Sequence, residues 1–496
     1  MAIAKRKRKG KGFALGSAEA GALWLHVDSK HLAHGLAFGL LFALAIVGLT
    51  LHQASGKAVG ESVGNGILVL AICTLYSLYL VSFEPRSFAR FRQIAAVGVV
   101  SLVPLAAAAA FPRFDVPAEL IPVTVSALIF GIVYSERTAI SLSLMLCLLV
   151  GIALRGAGKA DVPVANTMLI LFGGAAAAAL GCGKIRRRSK LLKVGIVSSL
   201  VQVALIIAAT LRLGQPVEPQ ACILGVINGV GSAVVVTALL PIIEHIFNVT
   251  TGISLLELTD QSHPILRRLS LEAPGTYHHS LILGNLTEAA GEAIGANSLL
   301  LRVGAYFHDI GKIMKPEYFI ENEGMQGSMH ANLSPTMSTL VITAHTKDGV
   351  DLAREGGIPA AIIDLIQQHH GTSLVEFFYR QALEDSPDKE RVDEALFRHP
   401  GPKPQTREAG VLMLADSVES ASRALPDPTP SRIARQVHEI INRKLVDGQL
   451  DECDLTLAEV HKIERSLTRS LTSVFHGRIK YPEPEQATSG REHNGH

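Results

Sequence analysis

The 496 residues are 48% hydrophobic and only 18% charged, with a mean hydropathy of +0.31. Soluble proteins carry about a quarter charged residues, so this composition excludes a disordered chain, a collagen-like repeat and a small secreted scaffold. Forty-six basic against 44 acidic residues leave a formal charge of +2, which points to no nucleic-acid partner.

The chain opens on a basic segment, residues 1–31, with Lys5, Arg6, Lys7, Arg8, Lys9 and Lys11 in close succession. Eight apolar runs follow, at 32–52, 65–83, 94–111, 120–135, 138–154, 164–182, 194–211 and 220–243, and none contains Asp, Glu, Lys or Arg. A soluble core helix keeps a charged face at helical period. These runs are apolar all round and several approach the ~20 residues that cross a bilayer. They predict a membrane domain over 32–243 with about eight transmembrane helices, and a lipid bilayer as partner.

Basic residues set the orientation. With the N-terminus in the cytoplasm, Arg86, Arg90, Arg92, Arg137 and the six cations of 184–193 also lie inside, against Lys57, Arg113, Arg155, Lys159 and Arg212 opposite. An even number of spans then returns the C-terminal half to the cytoplasm, giving a multi-pass protein of the cell membrane with both termini inside. The first run is too long for a cleavable signal peptide, and no small-residue cleavage site precedes a soluble domain. Cys73, Cys147, Cys182, Cys222 and Cys453 form no CxxC pair, so neither a disulfide framework nor a zinc knuckle is expected.

Beyond Glu244 the composition becomes that of a globular helical domain. Residues 244–270 read as a connecting segment, 271–481 as an all-helical cytoplasmic domain, and the polar 482–496 as a disordered tail. Ser334-Pro335 reads as an N-cap followed by Pro at the first helical position. Pro359 opens a run with Ile362, Ile363, Leu365 and Ile366 on one face, closed by Gly371. A further run from Gln405 to Leu425 stops at Pro426, Pro428 and Pro430. No β-type alternation intervenes, so the fold class is all-α: a polytopic helical membrane region followed by a helical cytoplasmic domain.

Five groups of candidate metal ligands lie along this half: His278-His279, His308-Asp309, His345, His369-His370 and Asp416. Singly they mean little, since roughly 0.6 His-Asp pairs arise by chance in such a composition. A lone His345 is more often a surface or core histidine, and a lone Asp416 an ion-pair partner or cap. Their setting is more telling. His308-Asp309 closes an apolar run, His369-His370 ends an apolar helix, and Asp416 interrupts one, where a bare carboxylate is costly to bury. Two divalent cations would satisfy all of these groups together. Mixed imidazole and carboxylate donors suit Mn, Fe or Zn better than Mg or Ca. Two metals about 3.5–4 Å apart can hold a bridging hydroxide for in-line attack on a phosphate, and Lys312 follows close enough to meet a phosphoryl oxygen.

The motifs Ala273-Pro-Gly-Thr-Tyr-His-His-Ser280, His308-Asp-Ile-Gly-Lys312, His369-His-Gly371, Gly401-Pro-Lys-Pro-Gln-Thr406 and Leu414-Ala-Asp-Ser-Val-Glu419 together resemble the seven-transmembrane HD family, the PgpH-like phosphodiesterases of HDIG type. The similarity continues through Asp447-Gly-Gln-Leu-Asp-Glu-Cys-Asp-Leu455 and covers the chain after the first run. It implies an HD domain with a two-metal centre, Mn or Fe, that hydrolyses cyclic di-AMP to linear pApA. It also implies His279, His308, Asp309, His345, His369, His370 and Asp416 as the ligands. Asp309 would bridge, with His279, His308 and Asp416 on one ion and His345, His369 and His370 on the other. His278 is the less favoured of its pair. Asp309 and Lys312 would be the catalytic residues. Lys312 and Arg423 would bind substrate, although Arg423, two turns beyond Asp416, equally suits a structural ion pair. Members usually carry a large extracytoplasmic domain after the first span, whereas about a dozen residues near 53–65 join the first two runs here.

Other readings are hydrolysis of another nucleotide (cyclic di-GMP, (p)ppGpp or a dNTP), transport, or a silent receptor. The absence of a Gly-Tyr-Pro element after His370 weighs against cyclic di-GMP. The charge-free spans weigh against transport, and the filled ligand positions against a silent receptor. The sequence is compatible with a homo-oligomer.

Overall fold

The computed structural model describes residues 59–83, 91–156, 164–183, 185, 187–323, 329–386 and 392–476. The basic N-terminus, the first apolar run and the expected disordered tail lie outside the described residues. The chain divides into two compact units, Met1–Ile253 and Ser254–His496. Among the described residues there is no β-strand, and one isolated bridge pairs Leu374 with Arg398.

The first unit contains α1 (Val59–Phe83), α2 (Phe91–Ala110), α3 (Val123–Val133), α4 (Glu136–Gly156), α5 (Val164–Gly181), α6 (Arg188–Arg212) and α7 (Pro219–Phe247). Among the described residues, six helices are long and apolar enough to cross a membrane. Ile67, Leu75 and Leu200, each more than 60% exposed, turn apolar side chains outward, as lipid-facing helices do. The protein is a multi-pass membrane protein. Because α1 begins at Val59, part of the short connection expected near 53–65 is helical.

The run at 120–135 differs from expectation. It holds α3, an 11-residue helix that reaches about half the hydrocarbon thickness. Pro117 and Pro122 are the reason: they flank a 3-10 turn, Ala118–Leu120, that cannot merge into one helix. The interrupted backbone is satisfied by side chains. Asn228 donates to the carbonyls of Glu119 (2.8 Å) and Ile121 (3.1 Å) and accepts from Thr124 (2.8 Å) and from Gln202 (3.2 Å). Irregular backbone at membrane depth persists only where protein supplies such partners. Close packing of α6 on α7 relies on Gly195 and Gly229, since a Cβ on Gly229 would lie 2.6 Å from the Ser199 nitrogen.

A short helix, α8 (Gly252–Glu257), straddles the boundary, and the second unit continues with α9 (Pro264–Glu272), α10 (Pro274–Ile294), α11 (Ser298–Phe307), α12 (Pro335–Glu355), α13 (Ala360–Gln368), α14 (Glu376–Asp385), α15 (Arg407–Arg423), α16 (Pro430–Val446) and α17 (Leu457–His476). The segment 244–270 is more than a connector, because Leu266 and Leu269 of α9 are buried in this unit's core with Val303, Phe307 and Ile366. A second core packs Leu283 and Leu286 of α10 against Met413 and Leu414 of α15 and Ile463 and Leu467 of α17. The expected helix starts occur: the Ser334 hydroxyl caps α12 by accepting from Met337 N at 3.3 Å, and Thr406 caps α15. Gly371 adopts φ +54° just past α13, turning the chain sharply after the His pair.

Candidate metal centre

The two cores bring the ends of α11 and α13 and the middles of α10, α12 and α15 to one point. His279 faces inward from α10 and is buried, while its neighbour His278, about 100° around the helix, is exposed. His308 sits at the last turn of α11 with Asp309 just beyond it, and both are buried. Gly311 lets this corner lie against α12, since a Cβ there would meet the His345 carbonyl at 1.9 Å.

Backbone geometry decides which ring nitrogen each histidine offers. The Nδ1 atoms of His308, His345 and His369 lie 2.8, 2.6 and 2.7 Å from the carbonyls of Ala305, Ile342 and Ile366, three residues earlier. A carbonyl only accepts, so Nδ1 carries the proton and Nε2 points into the centre. His279 is oriented by a carboxylate instead: Glu419, 3% exposed, lies 2.6 Å from its Nδ1.

The inward atoms form two groups, His279, His308 and Asp416 in one, and Asp309, His345, His369 and His370 in the other. Asp309 faces both. Its Oδ2 lies 3.1 Å from His308 Nε2, and its Oδ1 lies 3.3 and 3.6 Å from the Nε2 atoms of His345 and His369. His279 Nε2 is 3.1 Å from Asp416 Oδ1, and His370 Nδ1 is 3.7 Å from Asp416 Oδ2. All seven expected ligand positions therefore converge.

The donor set suits cations on physical grounds. His345 and His369 already use Nδ1 as donor, yet their Nε2 atoms face each other at 3.4 Å beside Asp309 Oδ1, which is buried with no hydrogen-bond partner. Lone pairs aimed at one another in a dry pocket are repulsive unless a positive charge lies between them. The cluster can hold metal.

Electrostatics agree. Burial raises the Asp309 pKa, but His308 and Lys312 outweigh it and hold the carboxyl well below the usual range. Asp416 is held down in the same way by His279 and His308. Burial opposes protonation of His308, yet the charges of Asp309 and Asp416 push it up to about 10, and His279 is raised by Asp416 and Glu419. Burial dominates at His345, pushed down to about 4, and at His370, well below its ordinary value. Without a cation the centre thus carries an extra proton on His308 at neutral pH, and a bound cation displaces it. Calorimetric metal titrations in buffers of different ionisation enthalpy are expected to show release of about one proton per chain. Because His308 deprotonates only toward pH 10, apparent affinity should climb with pH through neutrality. Heats independent of buffer would contradict this.

Lys312 does not point freely at solvent. Its Nζ lies 2.8 Å from Asp309 Oδ2 and 2.7 Å from Glu321 Oε1, over the Phe319 ring. Two of its three N–H groups are thereby engaged. Arg423 adopts the structural alternative, with Nε 2.8 Å from Glu419 Oε1, so it steadies the carboxylate that orients His279. Three residues escaped the sequence reading. Glu419 lies one turn from Asp416 on the same helical face, a usable signal. Glu321 and His399 have none. His399 comes from a loop and stacks on His370 with ring centroids 4.3 Å apart.

Fold and site together define an all-helical domain of HD type with a His/Asp metal cluster, attached to a polytopic membrane region. Residues 60–251 match the family described as "7TM receptor with intracellular HD hydrolase", and residues 276–421 match "HD domain". The chain belongs to this seven-transmembrane HD family. It is 40% identical over 373 residues to the cyclic-di-AMP phosphodiesterase PgpH of Bacillus subtilis (strain 168), covering 73% of this chain and 51% of that protein. It is 38% identical over 326 residues to PgpH of Listeria monocytogenes serotype 1/2a (strain 10403S), covering 65% and 45%. The chain thus spans about half the length of the curated relatives it matches. The crystal structure of the L. monocytogenes PgpH HD domain in complex with cyclic-di-AMP is 46% identical, with a TM-score of 0.42, over 44% of this chain and 100% of that one.

Proposed function

We propose that this chain is a membrane-anchored phosphodiesterase that hydrolyses cyclic di-AMP to linear pApA in an HD domain over 271–481 on the cytoplasmic side of the cell membrane. The observation that carries the reading is Asp309, whose two oxygens face two separate sets of imidazole nitrogens. His279, His308 and Asp416 would hold one divalent cation and His345, His369 and His370 the other, with Asp309 shared. Five imidazoles against two carboxylates favour Mn or Fe. When bound, such a pair supplies a water-derived nucleophile at neutral pH and neutralises the scissile phosphate.

The chain's own residues do the rest. The Nδ1 bonds to backbone carbonyls and to Glu419 hold four rings ready without reorganisation. Lys312, anchored by Asp309 and Glu321, keeps one N–H for a phosphoryl oxygen. The substrate assignment is supported by the cyclic-di-AMP phosphodiesterase activity of the two PgpH relatives at 38–40% identity. The basic N-terminal cluster and the cations of 184–193 support the orientation.

Purified full-length protein loaded with Mn or Fe, assayed on cyclic di-AMP, cyclic di-GMP, (p)ppGpp and dNTPs, is expected to turn over cyclic di-AMP with the highest kcat/KM and to yield pApA. Preference for another nucleotide by tenfold or more, on the order of 1.4 kcal/mol in transition-state binding, would overturn the substrate assignment while leaving the metal centre intact.

A further inference from the structure

A polar cleft of about 570 Å³ opens between α15 and α16, within the size range of small-ligand sites. It adjoins the metal centre through Ser373 of its lining, whose backbone N–H donates to the His370 carbonyl at 3.1 Å and whose carbonyl accepts from His399 N at 3.0 Å. Three cations line it, Arg398, Arg443 and Lys444. Arg398 is held by Asp447 at 2.8 Å and Glu394 at 2.7 Å, and Arg443 by Glu376 at 2.6 Å. The remaining acid of the wall, Glu439, lies 3.9 Å from Arg435. Every carboxylate of the cleft is therefore matched.

Lys444 is different. Among the described residues it has no carboxylate within 4.0 Å, and its Nζ donates to the neutral Ser373 hydroxyl at 2.6 Å. Burial pushes this ammonium's pKa down, and the charges of Asp416 and Asp447 push it back. An ammonium has three N–H groups, so two remain for a ligand, and the Ser373 O–H, whose oxygen accepts from Lys444, remains free to donate. A buried ammonium whose nearest partner is a neutral hydroxyl can make strong charge-assisted hydrogen bonds to an anion.

We propose that Lys444, with Ser373 beside it, binds the second, unreacting phosphate of a dinucleotide whose first phosphate lies at the metal centre. This rests on reading the centre as a dinucleotide phosphodiesterase. A diester with a single phosphate placed at the metals leaves Lys444 without a partner, so the residue selects for substrates carrying two phosphates.

The test uses full-length protein in detergent, loaded with Mn, as wild type, Lys444→Met and Lys444→Arg. The substrates are cyclic di-AMP and cyclic di-GMP, each with two phosphates, and bis(p-nitrophenyl) phosphate, with one. Lys444→Met is expected to raise KM for the dinucleotide that is cleaved by on the order of 10–100-fold more than KM for the one-phosphate diester. Lys444→Arg should recover most of that difference. Misfolding lowers both activities together and leaves the ratio of KM values unmoved, so equal losses on both substrates, or an unchanged dinucleotide KM, overturn the assignment of Lys444. If wild type cleaves bis(p-nitrophenyl) phosphate but neither dinucleotide, the reading of the centre falls first and takes this inference with it.

Discussion

Replacing Asp309 by Asn is expected to remove turnover on every substrate by on the order of 10³-fold or more, about 4 kcal/mol of transition-state stabilisation. The carboxylate offers one oxygen to each ligand group, and an amide presents one oxygen and an N–H₂ that repels a cation. Metal content should fall below two ions per chain. The fold should survive, because Lys312 keeps Glu321 at 2.7 Å and is not left as a lone buried charge. Metal analysis, turnover and thermal unfolding together check this. Unchanged hydrolysis would remove the centre from the catalytic account.

Glu419→Gln is expected to act one step further out. Among the described residues Glu419 bonds to no other candidate ligand, but it holds His279 Nδ1 at 2.6 Å and is itself held by Arg423 at 2.8 Å. Losing the charge weakens the hold on the ring and lowers the basicity of Nε2, an effect that typically costs 10–100-fold in metal affinity or activity. The distinguishing outcome is rescue: raising the metal concentration should restore most of the turnover of Glu419→Gln and none of that of Asp309→Asn. A Glu419→Gln protein with unchanged metal affinity would make the residue a packing element only.

Much of this was legible because it is local. Charge-free apolar runs identify themselves through composition: four of the runs, at 65–83, 138–154, 194–211 and 220–243, lie within long helices that the structure describes, and those at 94–111 and 164–182 overrun theirs by one residue. Caps such as Ser334 are local as well, since the cap and its acceptor lie three residues apart. The ligands could be nominated individually, but spacing alone gave them little weight. Their joint assignment came from resemblance to the HD family, and the grouping of the inward atoms into two sets required coordinates.

What the chain's order of residues determined by itself was a bilayer-embedded region, a helical domain behind it, and a roster of imidazoles and carboxylates in apolar settings. Local prolines break the run at 120–135, but folding in three dimensions decided what satisfies the interrupted backbone, namely Asn228 more than a hundred residues away. It also decided that Arg423 is engaged by Glu419, that His399 backs His370, and that Lys444 is the cleft's unmatched cation. Apolar burial is summed along neighbouring residues and is therefore visible in a linear text. Charge pairing is settled by distances between residues far apart in the chain, and only packing supplies those.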